Sequence, residues 1–198
     1  MTYRNEVELV GTLLEKPYLH HSAHGMRFYQ TKLGVSRMSG KLDEIILTLG
    51  EEKIDPSLLQ VGARIALCGA LRSFNNKSGT GRRLHLSVLV RDYCAAGARP
   101  DENRVTMAGV LCTPPVRRCT PLGREICDLM LAVDRKCGRA DYIPCIAWGS
   151  LAAVLGEGSA GAKVAFEGRL QSRAYQKVLE DRVEERVAYE ASVMRLLL

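Results

Sequence analysis

The sequence repeats itself at a spacing of 98 residues, and this repeat limits the possible folds more than any other feature. Residues in the first half of the chain recur, identical, 98 positions later: Asn5 and Asn103, Val7 and Val105, Gly11 and Gly109, Pro17 and Pro115, Gly25 and Gly123, Val35 and Val133, Arg37 and Arg135, and Asp43 and Asp141. The spacing then grows by one residue and pairs Gly62, Gly69 and Ser73 with Gly161, Gly168 and Ser172. Two copies of a domain of about 95 residues therefore fit the chain better than one large core.

The boundary between the copies is predicted where small residues, a proline and charged residues replace the apolar patterns. We expect a first domain over 1–95, a linker over 96–102 and a second domain over 103–198. A proline within a short stretch of alanine and glycine is typical of such a linker.

Each copy has the apolar patterning of five strands, with a short helical piece between the third and the fourth. In the second copy these are Val105–Leu111, Ile126–Val133, Tyr142–Trp148, the helix Ser150–Leu155, Lys163–Ser172 and Val187–Val193. In the first copy they are Val7–Leu13, Arg27–Arg37, Glu44–Leu49, a helix or turn near Pro56–Leu59, Ala63–Ser73 and Arg83–Val90. This element order is that of the OB fold, so we predict an all-β chain of two tandem five-stranded OB barrels.

Composition excludes several classes of protein. The chain is 46% apolar and 25% charged, with a net charge of +6, which suits a soluble globular protein and a polyanionic partner. It has no apolar run long enough to cross a membrane and no signal-peptide pattern at its start. Seven cysteines form no Cys-x-x-Cys pair, so we expect no metal, no cofactor and a reducing cytoplasm.

The second copy resembles the bacterial single-stranded DNA-binding protein family over nearly its whole length. The resemblance is carried by Asn103-Arg104-Val105, Thr120-Pro121-Leu122-Gly123, Leu131-Ala132-Val133-Asp134-Arg135, Asp141 to Gly149 and Gly168 to Tyr175. It implies binding of single-stranded DNA without sequence preference and without catalysis. Such binding combines a basic groove that follows the phosphates with aromatic rings on which bases stack.

The resemblance places base-stacking rings at Tyr142, Trp148 and Tyr175. The cations expected to line the groove are Arg117, Arg118, Arg135, Arg169, Arg173 and Lys177. Two alternatives stay open, since large rings usually bury and arginines often pair with nearby acids. Trp148 could thus be a core ring, and the arginines could form a solvated, ion-paired face.

The first copy departs from the family at the stacking positions. It has Glu44 at the repeat position of Tyr142, and it has Leu49 and Gly50 at the repeat position of Trp148. Only its last hairpin keeps the pattern, with the ring of Phe74 and the cations Arg72, Lys77, Arg82 and Arg83. We therefore expect the second domain to bind single strands more tightly, with the first contributing this hairpin and a structural surface.

The histidines offer little sign of chemistry. The segment His20-His21-Ser22-Ala23-His24 is predicted to be a polar or phosphate-facing loop, and His85 is predicted to point to solvent from a strand. No nucleophile and base are paired in the pattern of an enzyme.

The function indicated is protection or organisation of single-stranded DNA in replication, recombination or repair by a cytoplasmic, nucleoid-associated protein. Family members typically assemble four OB folds, so the resemblance implies a homodimer. They usually end in an acidic, glycine-rich tail, whereas this sequence ends at Leu198 after the last strand, so replication or repair partners are expected on folded surfaces. The alternative is a primosome-like or mobile-element accessory OB protein that acts mainly through protein–protein contacts.

Overall fold

The computed structural model describes residues 4–75, 84–120, 122–135, 138–178 and 183–197. The first half contains β1 (Arg4–Leu13), β2 (Tyr18–Ala23), β3 (Met26–Ser36), β4 (Leu42–Gly50), a 3₁₀ turn (Glu51–Lys53), β5 (Arg64–Asn75) and β6 (Leu84–Ala95). The second half contains β7 (Glu102–Leu111), β8 (Val116–Cys119), β9 (Glu125–Asp134), β10 (Ala140–Trp148), α1 (Ser150–Gly156), β11 (Lys163–Val178) and β12 (Val183–Leu196).

Five strands in each half close into a barrel. In the first half the ring of paired strands is β1–β3–β4–β6–β5 and back to β1, and in the second it is β7–β9–β10–β12–β11 and back to β7. The pairs β4–β6 and β10–β12 are parallel, and every other pair is antiparallel. The prediction of an all-β chain with two tandem OB barrels is thus confirmed.

Each half also has one short strand that the sequence did not predict. Strand β2 pairs with β3, and β8 pairs with β9, outside the closed rings. Their residues are almost all exposed, so neither strand has the buried alternation that marks a strand in a sequence. The helix or turn predicted near residues 56–59 is a turn, and the 3₁₀ turn lies before it.

The repeated glycines lie where a strand crosses closely over a neighbouring backbone. A Cβ atom on Gly11 would collide with the carbonyl oxygen of Gly34, and one on Gly109 would collide with that of Ala132. Both crossings are at the pairs β1–β3 and β7–β9 that close the barrels. Glycine recurs at this position because each barrel closes in the same way.

The two halves are joined by strand pairing as well as by the chain. Strands β1 and β7 pair antiparallel from Arg4 opposite Ala108 to Val10 opposite Glu102. Val7 lies opposite Val105, its own repeat partner, so the two barrels are related by a pseudo-two-fold axis through this pair. Most of the buried apolar side chains of both barrels form one contiguous cluster, and Val10, Ala66 and Ala96 form a second, small one.

The segment between β6 and β7 is anchored to the first half. The Asp101 carboxylate accepts a hydrogen bond from the Ser36 backbone N–H at 2.7 Å and forms an ion pair with Arg64 at 2.7 Å. Arg64 also donates to the Arg99 carbonyl at 2.7 Å. Burial opposes ionisation of Asp101, but these hydrogen bonds outweigh it and lower the pKa of that carboxyl.

Candidate nucleic-acid interface

Strand β10 presents two aromatic rings on one surface. Tyr142 and Trp148 are 47% and 39% exposed, while Ile143, Cys145 and Ala147 between them are buried. Because side chains alternate along a strand, residues six positions apart share a face and lie about 20 Å apart. Trp148 is therefore a surface ring and not a core ring.

Arg117 and Arg118, two of the predicted cations of the second half, are exposed but already paired with acids. Arg117 lies 3.4 Å from Glu125 and 3.3 Å from Glu157, and the two nitrogens of Arg118 that face Asp128 are 2.5 and 3.2 Å from its oxygens. Hydrogen bonding to Asp128 raises the pKa of Arg118. Exposed pairs of this kind contribute about 0–1 kcal/mol, so a phosphate could replace the carboxylate at little cost.

Arg173 and Arg169, both on β11, have different surroundings. Arg173 is exposed, and its Nε atom lies 3.6 Å from an oxygen of the buried Glu190. Arg169 is half-buried, and its Nε atom has no hydrogen-bond partner in the described structure. Burial lowers the pKa of Arg169, and the nearby Arg37 cation lowers it further.

Arg72 and Arg135, predicted as DNA contacts, meet at a buried carboxylate between the halves. Asp141 has no exposed surface and accepts hydrogen bonds from Arg72 Nη1 at 2.9 Å and from Arg135 Nε at 2.8 Å. The Ser73 backbone N–H donates to the same carboxylate at 2.7 Å. The Tyr142 backbone N–H donates to Ser73 Oγ at 2.7 Å.

The pseudo-two-fold axis repeats this junction on the other side. Asp43, 1% exposed, accepts from Arg37 Nε at 2.6 Å and from the Ser172 backbone N–H at 2.9 Å. The Glu44 backbone N–H donates to Ser172 Oγ at 3.0 Å. The structural role of these residues was missed from the sequence, although their recurrence at the repeat spacing was the available signal.

Part of the predicted site lies outside what the structure describes. Lys77, Arg82 and Arg83 are beyond the described ranges, as are the side chains of Tyr175 and Lys177. Phe74 is described: its ring is 67% exposed at the end of β5, and its centroid lies 6.4 Å from that of His85. Phe74 and Arg72 lie on one surface of the first half, and the role predicted for the hairpin stays a prediction.

The first half carries rings that the resemblance did not indicate. His20 and His21 lie on strand β2 and not in a loop, and His21 stacks on Phe28 with centroids 5.0 Å apart and planes 10° apart. With Phe74 and His85 they line an open groove on this half. No single segment of sequence signals this groove, because its side chains come from β2, β3, β4, β5 and β6 and from Arg135 of the second half.

Comparison with known proteins agrees with the fold. Residues 102–197 match the single-strand binding protein family. The wild-type single-stranded DNA binding protein from Thermus aquaticus is 22% identical, with 100% of this chain and 93% of that chain covered and a TM-score of 0.76. A deletion variant of the same protein is 23% identical, with 98% and 94% covered and a TM-score of 0.75.

A third solved structure is less informative. The N-terminal domain of the PriB protein from Thermoanaerobacter tencongensis, described as dimeric, is 32% identical and covers 46% of this chain and 96% of its own. Its TM-score of 0.39 is too low to bear on the architecture. No curated protein matches the chain.

Two closed barrels in tandem, with exposed rings on a strand of the second, define a tandem OB-fold protein. The half of the chain that carries Tyr142 and Trp148 matches one family throughout. Residues 102–197 belong to the single-strand binding protein family, which confirms the resemblance found in their motifs. The proteins of this family bind single-stranded DNA and are not enzymes.

Two further structural findings concern other classes of site. Across the described ranges, no helix combines the length and the apolar character that a membrane crossing requires. Among the same residues, no three His, Cys, Asp or Glu side chains are grouped as a metal site would need.

Proposed function

We propose that the chain binds single-stranded DNA without sequence preference, mainly through its second half, and so protects or organises it in replication, recombination or repair. The observation that carries this proposal is the exposure of Tyr142 and Trp148 on one face of β10, in the half that matches the family. Two exposed rings about 20 Å apart can each stack a base of one extended strand.

The surrounding charge supports the same function. Arg117, Arg118 and Arg173 reach solvent beside this half of the sheet while paired with acids. Phosphates compete well for such cations because an exposed pair is weak and the displaced counterions add entropy. The acids that pair with these arginines also weaken the attraction of the surface for polyanions in general, which agrees with a net charge of only +6.

The test uses Trp148, the one tryptophan of the chain, as the reporter. The full-length protein is titrated with oligo-dT at several salt concentrations while tryptophan fluorescence is followed. We expect quenching, and an affinity whose logarithm falls with the logarithm of salt by about 0.7 for each phosphate contacted. Absence of both quenching and binding at low salt would refute the proposal, and binding of another protein instead would favour the primosome-like alternative.

Two variants test whether oligo-dT binds at the face of β10 that carries Tyr142 and Trp148. Tyr142→Ala should weaken oligo-dT binding by about 1–3 kcal/mol, which is the cost of losing one stacked base. Val154→Ala, which truncates an exposed side chain of α1 in the same half, should leave binding unchanged. Equal affinities of the two variants would contradict a stacking role for Tyr142.

We also infer that two chains form a homodimer, which brings four OB folds together as the family resemblance implies. Sedimentation equilibrium should then give twice the chain mass of 21.8 kDa. A single-chain mass at micromolar concentration would contradict this inference without affecting the proposal on DNA binding.

A further inference from the structure

Ser73, near the end of strand β5 in the first half, directs three polar groups at the second half. Its backbone N–H donates to the Asp141 carboxylate at 2.7 Å, and its carbonyl oxygen accepts from Arg135 Nη2 at 3.3 Å. Its Oγ atom accepts from the Tyr142 backbone N–H at 2.7 Å. One residue of the first barrel thus holds two consecutive residues of strand β10, and the second of them carries an exposed ring.

The contact lies at a part of β10 that its parallel neighbour does not reach. Strand β12 pairs with β10 at Cys145 and Ile146, three and four residues beyond Tyr142. The Tyr142 N–H has Ser73 Oγ as its acceptor in place of the carbonyl of a neighbouring strand. The backbone of the second barrel at Tyr142 is therefore held by a residue of the first barrel.

The direction of the Tyr142 ring follows from the position of its backbone. Among the residues that the structure describes, no hydrogen bond or ring contact of the Tyr142 side chain holds the ring itself. A side chain leaves its strand in a direction that the backbone and a few staggered rotamers determine. A ring already oriented for stacking loses less conformational freedom when a base arrives, and this preorganisation strengthens binding.

The pseudo-two-fold axis repeats this contact at a residue without a ring. Ser172 Oγ accepts from the Glu44 backbone N–H at 3.0 Å, as Ser73 Oγ accepts from that of Tyr142. Glu44 is the repeat counterpart of Tyr142, and its carboxylate pairs with Lys32 at 3.4 Å. The two junctions therefore make the same hydrogen bond, but the one at Ser73 supports an aromatic ring and the one at Ser172 supports an acid.

We propose that Ser73 is a positioning residue for single-stranded DNA: through Asp141 and the Tyr142 backbone it holds the Tyr142 ring in the orientation that stacks on a base, without touching the DNA itself. The inference rests on the proposed DNA-binding function, and it makes the stacking face of the second barrel depend on the first. It gives the first half a share in the affinity that requires no base on its own surface.

The test compares matched variants of the full chain by the anisotropy of fluorescein-labelled oligo-dT. One stacked base is worth about 5–150-fold in affinity, and a ring that is still present but poorly held should lose part of this. We expect Ser73→Ala to bind about fivefold more weakly than the wild type. Ser172→Ala, which removes the corresponding hydrogen bond at the other junction, should bind as the wild type does. Both variants should lose similar stability in urea, because each leaves one backbone N–H without its acceptor.

Two further variants separate positioning from a general structural effect. In a Tyr142→Ala background, Ser73→Ala should change the affinity by less than about twofold, because the ring that Ser73 positions is absent. A direct contact between Ser73 and DNA would keep its full effect in that background. Ser73→Thr retains a hydroxyl group and should restore the affinity to within about twofold of the wild type. Far-UV circular dichroism checks that each variant is folded.

Three outcomes overturn the inference. The first is equal affinity of Ser73→Ala and Ser172→Ala, and the second is an undiminished effect of Ser73→Ala in the Tyr142→Ala background. The third is a Ser73→Thr variant that binds no better than Ser73→Ala. Failure of the proposed function looks different, because the wild-type protein itself would then show neither Trp148 quenching nor a rise in anisotropy.

Discussion

Replacing Asp141 with asparagine removes the negative charge that two arginines of different halves share, while keeping the size of the side chain. The carboxylate is fully buried and accepts from Arg72, from two nitrogens of Arg135 and from the Ser73 backbone N–H. Removing one partner from a buried ion pair costs about 3–5 kcal/mol, because the remaining charge is left uncompensated.

The structure places the expected cost near the lower end of that range. The Arg72 and Arg135 side chains are 33% and 25% exposed, so each recovers part of its hydration when Asp141 loses its charge. We expect Asp141→Asn to lower the free energy of unfolding by about 3 kcal/mol, which corresponds to about 6–12 °C in Tm for a chain of this length. Urea denaturation followed by far-UV circular dichroism measures the first quantity, and a thermal scan measures the second.

The control is Glu157→Gln, which removes the charge from an exposed acid that also pairs with an arginine. It should change the free energy of unfolding by no more than about 0.5 kcal/mol. Asp43→Asn, at the symmetric junction with one arginine in place of two, should cost less than Asp141→Asn. A loss below about 1 kcal/mol for Asp141→Asn would show that the buried junction does not hold the halves as argued.

Three further outcomes follow from features of single residues. The lowered pKa of Asp101 stabilises the folded state above about pH 4, and this stabilisation is lost as pH falls through the pKa of the folded state. The free energy of unfolding should therefore fall less between about pH 4 and pH 2 in Asp101→Asn than in the wild type. Burial raises the pKa of Cys145 well above its ordinary value, so a thiol reagent at about pH 8 should modify the exposed Cys94 rapidly and spare Cys145 in the native protein. Gly109→Ala should destabilise the fold by about 1–3 kcal/mol in urea, because the added methyl group meets the carbonyl oxygen of Ala132, and an unchanged midpoint would refute that steric argument.

The five barrel strands of each half were predictable because one side of each faces the core. Strand β6 is an example, in which the buried Leu86, Val88 and Val90 alternate with the partly exposed Ser87 and Leu89. Strand β2 was not predictable, since His20 and His21 are polar and exposed, and the strand is defined by its pairing with β3. The periodic spacing of apolar residues reflects their burial, so a strand with almost no buried side chains shows no such spacing in the sequence.

The types of residue at the candidate site were predictable from the sequence, but the contact partners of their side chains were not. Tyr142 and Trp148 are surface rings on one strand, and that arrangement follows from their even spacing. The partner of Arg135 does not follow from spacing, since its second contact, the Ser73 carbonyl, lies 62 residues away in the other half. Contacts across the junction depend on how two closed barrels dock, which local sequence does not encode.

Strands β1 and β7 belong to one chain, so the two barrels do not have to meet by diffusion before they pair, as separate subunits would. A contact between identical subunits must be self-complementary, whereas here Arg104 pairs with Glu8 although their repeat counterparts, Glu6 and Thr106, cannot form an ion pair. The short connection also sets a high effective concentration of one barrel for the other. Dilution that would dissociate a non-covalent pair therefore leaves these two barrels together, and each is free to change its own binding face without changing the other.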